Sequence, residues 1–245
     1  QRNLLLSFSE IVIYSGLNRP LDFSYLNPIS THLEIELNDR QNKLGVSSGN
    51  AIWQLAMDFK FKTDVRIMTN IIIDELVLDK VQLDSNKTNG IAYSGKVVWS
   101  PMASSNISNL YISIINVGTK TFRHEIGYNN YVQRGLPLGW AEGNDGYELN
   151  TGIDFIYNSK ILGNVIIGMR KIGGGSLLST PYIANSDYLK DKFPSGIVNT
   201  ISFISSSIDY KLNNNLYIFG SLDYSISSLD KKEITFNVGI DISNG

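Results

Sequence analysis

Apolar and polar residues alternate with a period of two along most of the chain. From Ala51 to Lys62 the odd positions Ala51, Trp53, Leu55, Met57, Phe59 and Phe61 are apolar, while the even ones include Gln54, Asp58, Lys60 and Lys62. A period of two marks an extended strand with one greasy face and one wet face. The same pattern returns at 65–74, where Val65, Ile67, Ile71 and Ile73 stand against Arg66, Asn70 and Asp74. It recurs at 90–100, 109–118, 147–157, 161–170, 216–226 and 233–242. An earlier segment, with Ser9, Ile11 and Ile13 against Glu10, Val12 and Tyr14, fits a strand as well. The strand at 197–212 changes phase between Phe203 and Ile208, which predicts a bulge there. The pattern predicts about ten strands and no convincing helix, with 31–40 open to either reading.

The connections choose the architecture. Long ones (15–48, 79–89, 119–145, 173–196) alternate with short ones (62–64, 101–108, 158–160, 213–215), with a brief last turn near Asp230. Strands of about 10 to 14 residues can cross a bilayer when tilted, whereas sandwich strands run to about 5 or 6. Gly, Ser, Asn and mixed charges on the polar faces suit a wet lumen. The expectation is therefore an all-β, transmembrane antiparallel β-barrel or the C-terminal portion of one, ahead of a soluble sandwich. Short turns would be periplasmic and long loops extracellular. Residues 1–245 would form one barrel domain, with 15–48 a long structured loop inside it. Trp53, Trp99, Tyr111, Tyr147, Tyr157, Tyr210 and Tyr217 fall near predicted strand ends, where amphipathic rings sit at the headgroups.

Composition changes this picture little. The 245 residues are 42% hydrophobic with a net charge of -2, and no Lys/Arg block stands out, so no nucleic-acid partner is expected. No apolar run reaches the length of a membrane-spanning helix. There is no cysteine, hence no disulfide framework and no thiolate metal site.

Candidate chemistry points away from catalysis. His32 and His124 have no metal-ligand spacing, and there is no G-x-S-x-G elbow. Neither a metal nor a cofactor is expected. Asp74, Glu75 and Asp79 could bind calcium but read better as a solvated acidic rim. Gly173-Gly174-Gly175 lacks the rest of a phosphate loop and reads as a flexible segment.

The loops offer more. Arg123, Tyr128, Tyr131, Arg134 and Trp140 bring aromatic faces beside charged groups, the combination that sugar rings need. In the first loop, Arg19, Asp22, Tyr25 and Asn27 are interleaved with Leu21, Phe23 and Leu26, which predicts polar groups presented on an apolar anchor. Arg19 would donate to sugar hydroxyls or carboxylates and Tyr25 would stack; Asp22 and Asn27 would be ligands or would hold Arg19.

The opening stretch SEIVIYSGLNRPLDFSYLNP, with its N-R-P-L-D and Y-L-N-P pieces, resembles the Wzi family of outer-membrane capsule-assembly proteins. Asn50, the Asp74-Glu75 pair, Pro137-Leu138-Gly139 and the acidic stretch from Asp145 to Leu149 follow in matching order, although Trp140 stands where the family has His. The resemblance implies a larger outer-membrane barrel, of which this chain is the C-terminal part as a fragment or an abbreviated relative. It also implies a lectin that binds capsular or other surface polysaccharide and touches outer-membrane lipid in a Gram-negative cell. A porin or uptake channel, or a surface protein of adhesion or gliding motility, is the alternative.

Overall fold

The computed structural model describes residues 3–20, 23–27, 31, 49–77, 80–101, 106–183, 192–213, 215–229 and 231–242. Ten strands build one antiparallel sheet: β1 Leu4–Ile13, β2 Asn50–Phe61, β3 Val65–Glu75, β4 Gly90–Trp99, β5 Ile107–Val117, β8 Gly146–Tyr157, β9 Ile161–Ile172, β10 Asn199–Asn213, β11 Leu216–Ser227 and β12 Lys232–Ile242. Each pairs with its neighbour in sequence, apart from a separate hairpin of β6 Val132–Gln133 and β7 Leu136–Pro137 inserted between β5 and β8. The sheet is an open meander among the described residues, with β1 and β12 at its edges.

The register carries one face across all ten strands. Phe8 opposes Leu55, Leu55 opposes Ile71, and Ile71 opposes Tyr93. At the far side Ile218 opposes Ile240 and Leu222 opposes Phe236. Because side chains alternate and the register shifts only near strand ends, at Ile73/Glu75 and Lys211/Asn213, the alternating apolar positions of the strands fall on the same side. That side is uncovered: Leu6 is 67% exposed, Phe236 69% and Ile234 71%. An uncovered apolar surface of this extent is not what a water-soluble sheet presents.

The first strand begins at Leu4, not Ser9, because the Leu4-Leu5-Leu6 run has no alternation to reveal it. The expected bulge between Phe203 and Ile208 is absent. Pairing of β10 with β9 runs unbroken from Asn199↔Ile172 to Tyr210↔Ile161, and the irregularity lies at Lys211/Asn213 instead. The apparent phase change arises because Phe203 is an aromatic on the polar face. Its ring fills the space over Gly168, where an added Cβ would come within 2.5 Å of it, and the Arg170 guanidinium lies 5.0 Å from its centroid. Tyr111 and Tyr217 also sit on the polar face, with Lys96 at 3.8 Å and Lys211 at 5.9 Å from their rings, so neither joins an outer aromatic belt. A five-residue helix, Lys80–Asp84, occupies the β3–β4 connection, where no helix was expected. Residues 32–40, left open between helix and strand, lie outside the described residues.

The other face changes character along the strands. At the end where the long connections lie, Ile52, Ala92 and Val117 of the sheet are buried against Phe122, Tyr131, Trp140 and Leu177 of the loops, with Ile11, Ile13, Ile72, Ile115 and Ile172 packed around them. Toward the short-turn end it is polar, as in the Ser113 to Asn150 hydrogen bond of 2.6 Å and the ion pair of Arg66 with Asp58. The long connections thus fold back over one end of the sheet and make the only dry core among the described residues.

Candidate functional site

Asp145, immediately before β8, organises the loop layer. It is fully buried, with φ +58°. Its Oδ1 accepts hydrogen bonds from Thr119 Oγ1 (2.6 Å) and Ser195 N–H (2.9 Å), and its Oδ2 from Ser195 Oγ (2.6 Å) and Gly175 N–H (2.8 Å). Two connections distant in sequence, 118–145 and 173–198, are tied together by one carboxylate. Burial by itself would raise the pKa of Asp145, but the donors from Ser195, Thr119 and Gly175 outweigh it and hold the group below the ordinary carboxylate value. An added Cβ on Gly173 would fall 2.2 Å from Asp145 Oδ2, and one on Gly175 3.0 Å from it. Gly173 and Gly175 are therefore required by their close approach to Asp145, whereas Gly174 has room for a side chain, so flexibility alone does not account for the run.

A second set of bonds fixes the 118–145 connection to the sheet. Phe122 adopts φ +72°, which an L side chain disfavours. Its N–H donates to Asp74 Oδ2 at 2.6 Å, and its ring stacks on Tyr131 at 4.9 Å. Asp74 is thus a brace between β3 and this loop. Glu75 pairs with Lys87, and Asp79 lies outside the described residues, so the solvated acidic rim does not describe this corner. Among the described residues no group of three or more His, Asp or Glu is arranged to hold a metal. Asn129, fully buried, accepts the Ser15 N–H at 3.1 Å and so holds the first loop against the second. Asn130 accepts from His124 N–H and donates to the Leu177 carbonyl.

The sequence-predicted binding residues separate into two groups. Arg123 is buried and donates through Nη2 to the carbonyls of Thr180 and Pro181, both at 2.9 Å. Tyr131 is buried under Phe122. Trp140 is 8% exposed, with its indole over Gly146 and its Nε1–H directed to Glu148 Oε2 at 3.4 Å. All three are buried in the packing of the loop layer, because large side chains beside charges in a loop satisfy core packing as readily as ligand contact. On the surface stand Tyr128, 62% exposed, Asn27, and Arg134, which sits at φ +52° beside Gly135 in the turn of the β6–β7 hairpin. Arg19 and Tyr25 are half-buried on either side of Tyr14, which the alternation marks only as a strand position. The Tyr14 ring lies 3.6 Å from the Arg19 guanidinium and 4.5 Å from the Tyr25 ring, and its hydroxyl donates to the Pro20 carbonyl. Phe23 is exposed, and Leu21 and Asp22 lie outside the described residues.

Below the loops, Arg170 bonds Glu142 at 2.5 Å and lies 3.9 Å from Glu148, which also accepts from Asn150 Nδ2. Above them a cleft of about 430 Å³ opens between the 76–89, 118–145 and 173–198 connections. Asn89, Lys120, Arg123, Thr180, Phe193 and Ser195 are among its lining residues. A cleft of this volume, apolar on one wall and polar on the others, can hold a small ring compound.

No family model matches the chain. No curated protein matches its sequence. Its fold is similar to that of Wzi, an outer membrane protein involved in group 1 capsule assembly in Escherichia coli and described as a carbohydrate-binding β-barrel, with a TM-score of 0.63 at 17% identity. The alignment covers 97% of this chain and 47% of that one, so the chain spans about half the length of the solved relative. At this identity the likeness establishes the fold: a ten-stranded antiparallel sheet of β-barrel type, open among the described residues.

Proposed function

We propose that the chain is part of an outer-membrane β-barrel that binds surface or capsular polysaccharide and helps attach it to the cell. The observation that carries this reading is the likeness of nearly the whole chain to the fold of a carbohydrate-binding outer-membrane barrel. The uncovered apolar face supports the membrane part, since Leu55, Ile71, Leu222 and Phe236 would meet acyl chains instead of water. With that face in lipid, the short turns are periplasmic and the long connections meet the extracellular polymer. Arg19, Tyr25, Asn27, Tyr128 and Arg134 are the proposed polysaccharide contacts, on a framework held by Arg123, Tyr131 and Trp140. The apolar core built around Ile52 and Phe122 at the loop end of the covered face weighs against an open diffusion channel.

The test is a glycan array probed with the purified protein in detergent. Binding to at least one acidic or neutral polysaccharide is expected, and the Arg19→Ala/Tyr25→Ala double variant should weaken it while keeping the heat-dependent gel shift of a folded barrel. A folded protein that binds no glycan, and that gives steady open steps in a planar bilayer, would replace this reading with a channel.

A further inference from the structure

The uncovered apolar face is not a uniform wall. A groove of about 580 Å³ opens in it between β9 and β12, within the roughly 300 to 1,000 Å³ of ligand pockets. It opens because two small residues, Ser206 and Gly220, stand among Ile208, Ile218, Leu222 and Phe236. In register Ser206 faces Leu222, and Gly220 faces Ile208 on one side and Val238 on the other. A Cβ added at Gly220 would meet nothing closer than the Asn237 carbonyl oxygen at 3.7 Å, so the space over it is open. At the short-turn end the groove is lined by Tyr210. Tyr210 pairs with Ile161, and Ile161 with Tyr157, so two exposed tyrosines flank the 158–160 turn. Lys160 of that turn is exposed; its N–H donates to the Tyr157 carbonyl at 3.1 Å, and its carbonyl accepts the Lys211 N–H at 2.8 Å. Among the described residues no ion pair involves Lys160. The neighbouring short connection at 100–106, the turn at 213–215 and the segment 243–245 contain neither Asp nor Glu. The acids at this end of β8 to β12 belong to the polar face: Asp154 faces Asn164 and accepts its amide, Asp209 shares the side of Phe203, and Asp241 faces Tyr217. A lysine between tyrosines at the headgroup level, next to an apolar groove, matches a lipid with an acidic head. The lysine stem lies along apolar surface while its ammonium reaches the phosphate, and an acyl chain fills the space that Gly220 leaves.

We infer that the groove and the 158–160 turn form one site for an acidic glycerophospholipid of the leaflet beside the short turns, with Lys160 as its ionic contact, Tyr157 and Tyr210 at the headgroup, and one acyl chain over Gly220. The inference rests on the membrane part of the proposed function and adds a lipid preference to it.

The experiment is native mass spectrometry of the full chain, folded in detergent and titrated with phosphatidylglycerol or with phosphatidylcholine of the same acyl chains. The wild-type protein should retain phosphatidylglycerol about fivefold more tightly, the effect of one interfacial lysine. Lys160→Gln should abolish that preference and Lys160→Arg should keep it, whereas Gly220→Leu should weaken both lipids alike by filling the groove. Equal retention of the two lipids by the wild-type protein would overturn the site. A preference that survives Lys160→Gln, or a retention that Gly220→Leu leaves unchanged, would overturn it too. A dimer that Gly220→Leu dissolves would give the groove to a second copy, and displacement of the lipid by soluble glycerophosphate would make the rim a contact for free anions; either result overturns the lipid. Failure to insert into vesicles of either lipid would instead remove the membrane reading on which the site rests. The comparison of the two lipids uses only the wild-type protein, so it decides the matter even if Gly220→Leu does not fold.

Discussion

The sheet and the loop layer of this molecule are stabilised in opposite ways. In the sheet, each strand is held by backbone pairing to its neighbour in sequence, and side chains matter mainly for which face they show. In the loop layer the backbone is irregular, and single polar side chains collect its N–H groups from far away: Asp145 from Gly175 and Ser195, Asp74 from Phe122, Asn129 from Ser15. A substitution in the sheet is therefore felt through the medium around it, and one in the loops through the orphaned partners it leaves behind. The two regions should fail separately.

The largest effect is expected at Asp145. Asp145→Ala leaves two half-buried hydroxyls, one half-buried N–H and the buried Gly175 N–H without their acceptor, which should cost about 2 to 4 kcal/mol of loop-layer stability. Limited proteolysis should then cut within 173–183 or 192–198, while the strands keep their far-UV signal. Next comes the sheet. Leu55→Arg on the outer face should cost about 2 to 4 kcal/mol in folding into lipid. Ser207→Arg, on the polar face opposite Asn164, should cost much less. Equal costs for the two, measured by folding titration into vesicles, would remove the membrane assignment and leave the loop chemistry untouched.

Gly173→Ala asks whether the loops tolerate a methyl group where Asp145 Oδ2 stands 2.2 Å away. The loops have to shift, at about 1 to 3 kcal/mol, and the thermal transition should fall without change in lipid insertion. The smallest effect is on pH dependence. Asp145 has a folded pKa below that of the unfolded chain, which is about 3.9, so the stability it contributes is complete above that value. The contribution is lost as the pH falls through the lower folded value. Protease protection of the loops should hold to mildly acidic pH and fade only in strong acid, and Asp145→Asn should flatten that profile.

Much of the sheet was legible beforehand for a simple reason. A strand with one face in an apolar medium must place an apolar residue at every second position, and the Ala51 to Phe61 stripe records that constraint directly. It failed where the constraint lapses: at Leu4-Leu5-Leu6, which alternate with nothing, and at Phe203, an aromatic kept on the polar face by Gly168 and Arg170. The site was less legible. Arg123, Tyr131 and Trp140 share the residue types of a sugar-binding surface, and burial is what separates them from Tyr128 and Arg134.

Most strand positions, their antiparallel order and the alternation of long and short connections were readable along the chain, because these follow from spacing. Tertiary structure alone set Gly173 and Gly175 against the Asp145 carboxylate, made Asp74 the brace of a loop, and brought Lys120 and Arg123 into one cleft lining with Thr180 and Ser195. Each of those facts joins residues some 30 to 60 positions apart in one hydrogen bond or one lining, as Asp145 joins Gly175 and Arg123 joins Thr180. Such pairings leave no period in the sequence, since the side chains that make them are chosen by where the loops meet and by no repeat along the chain.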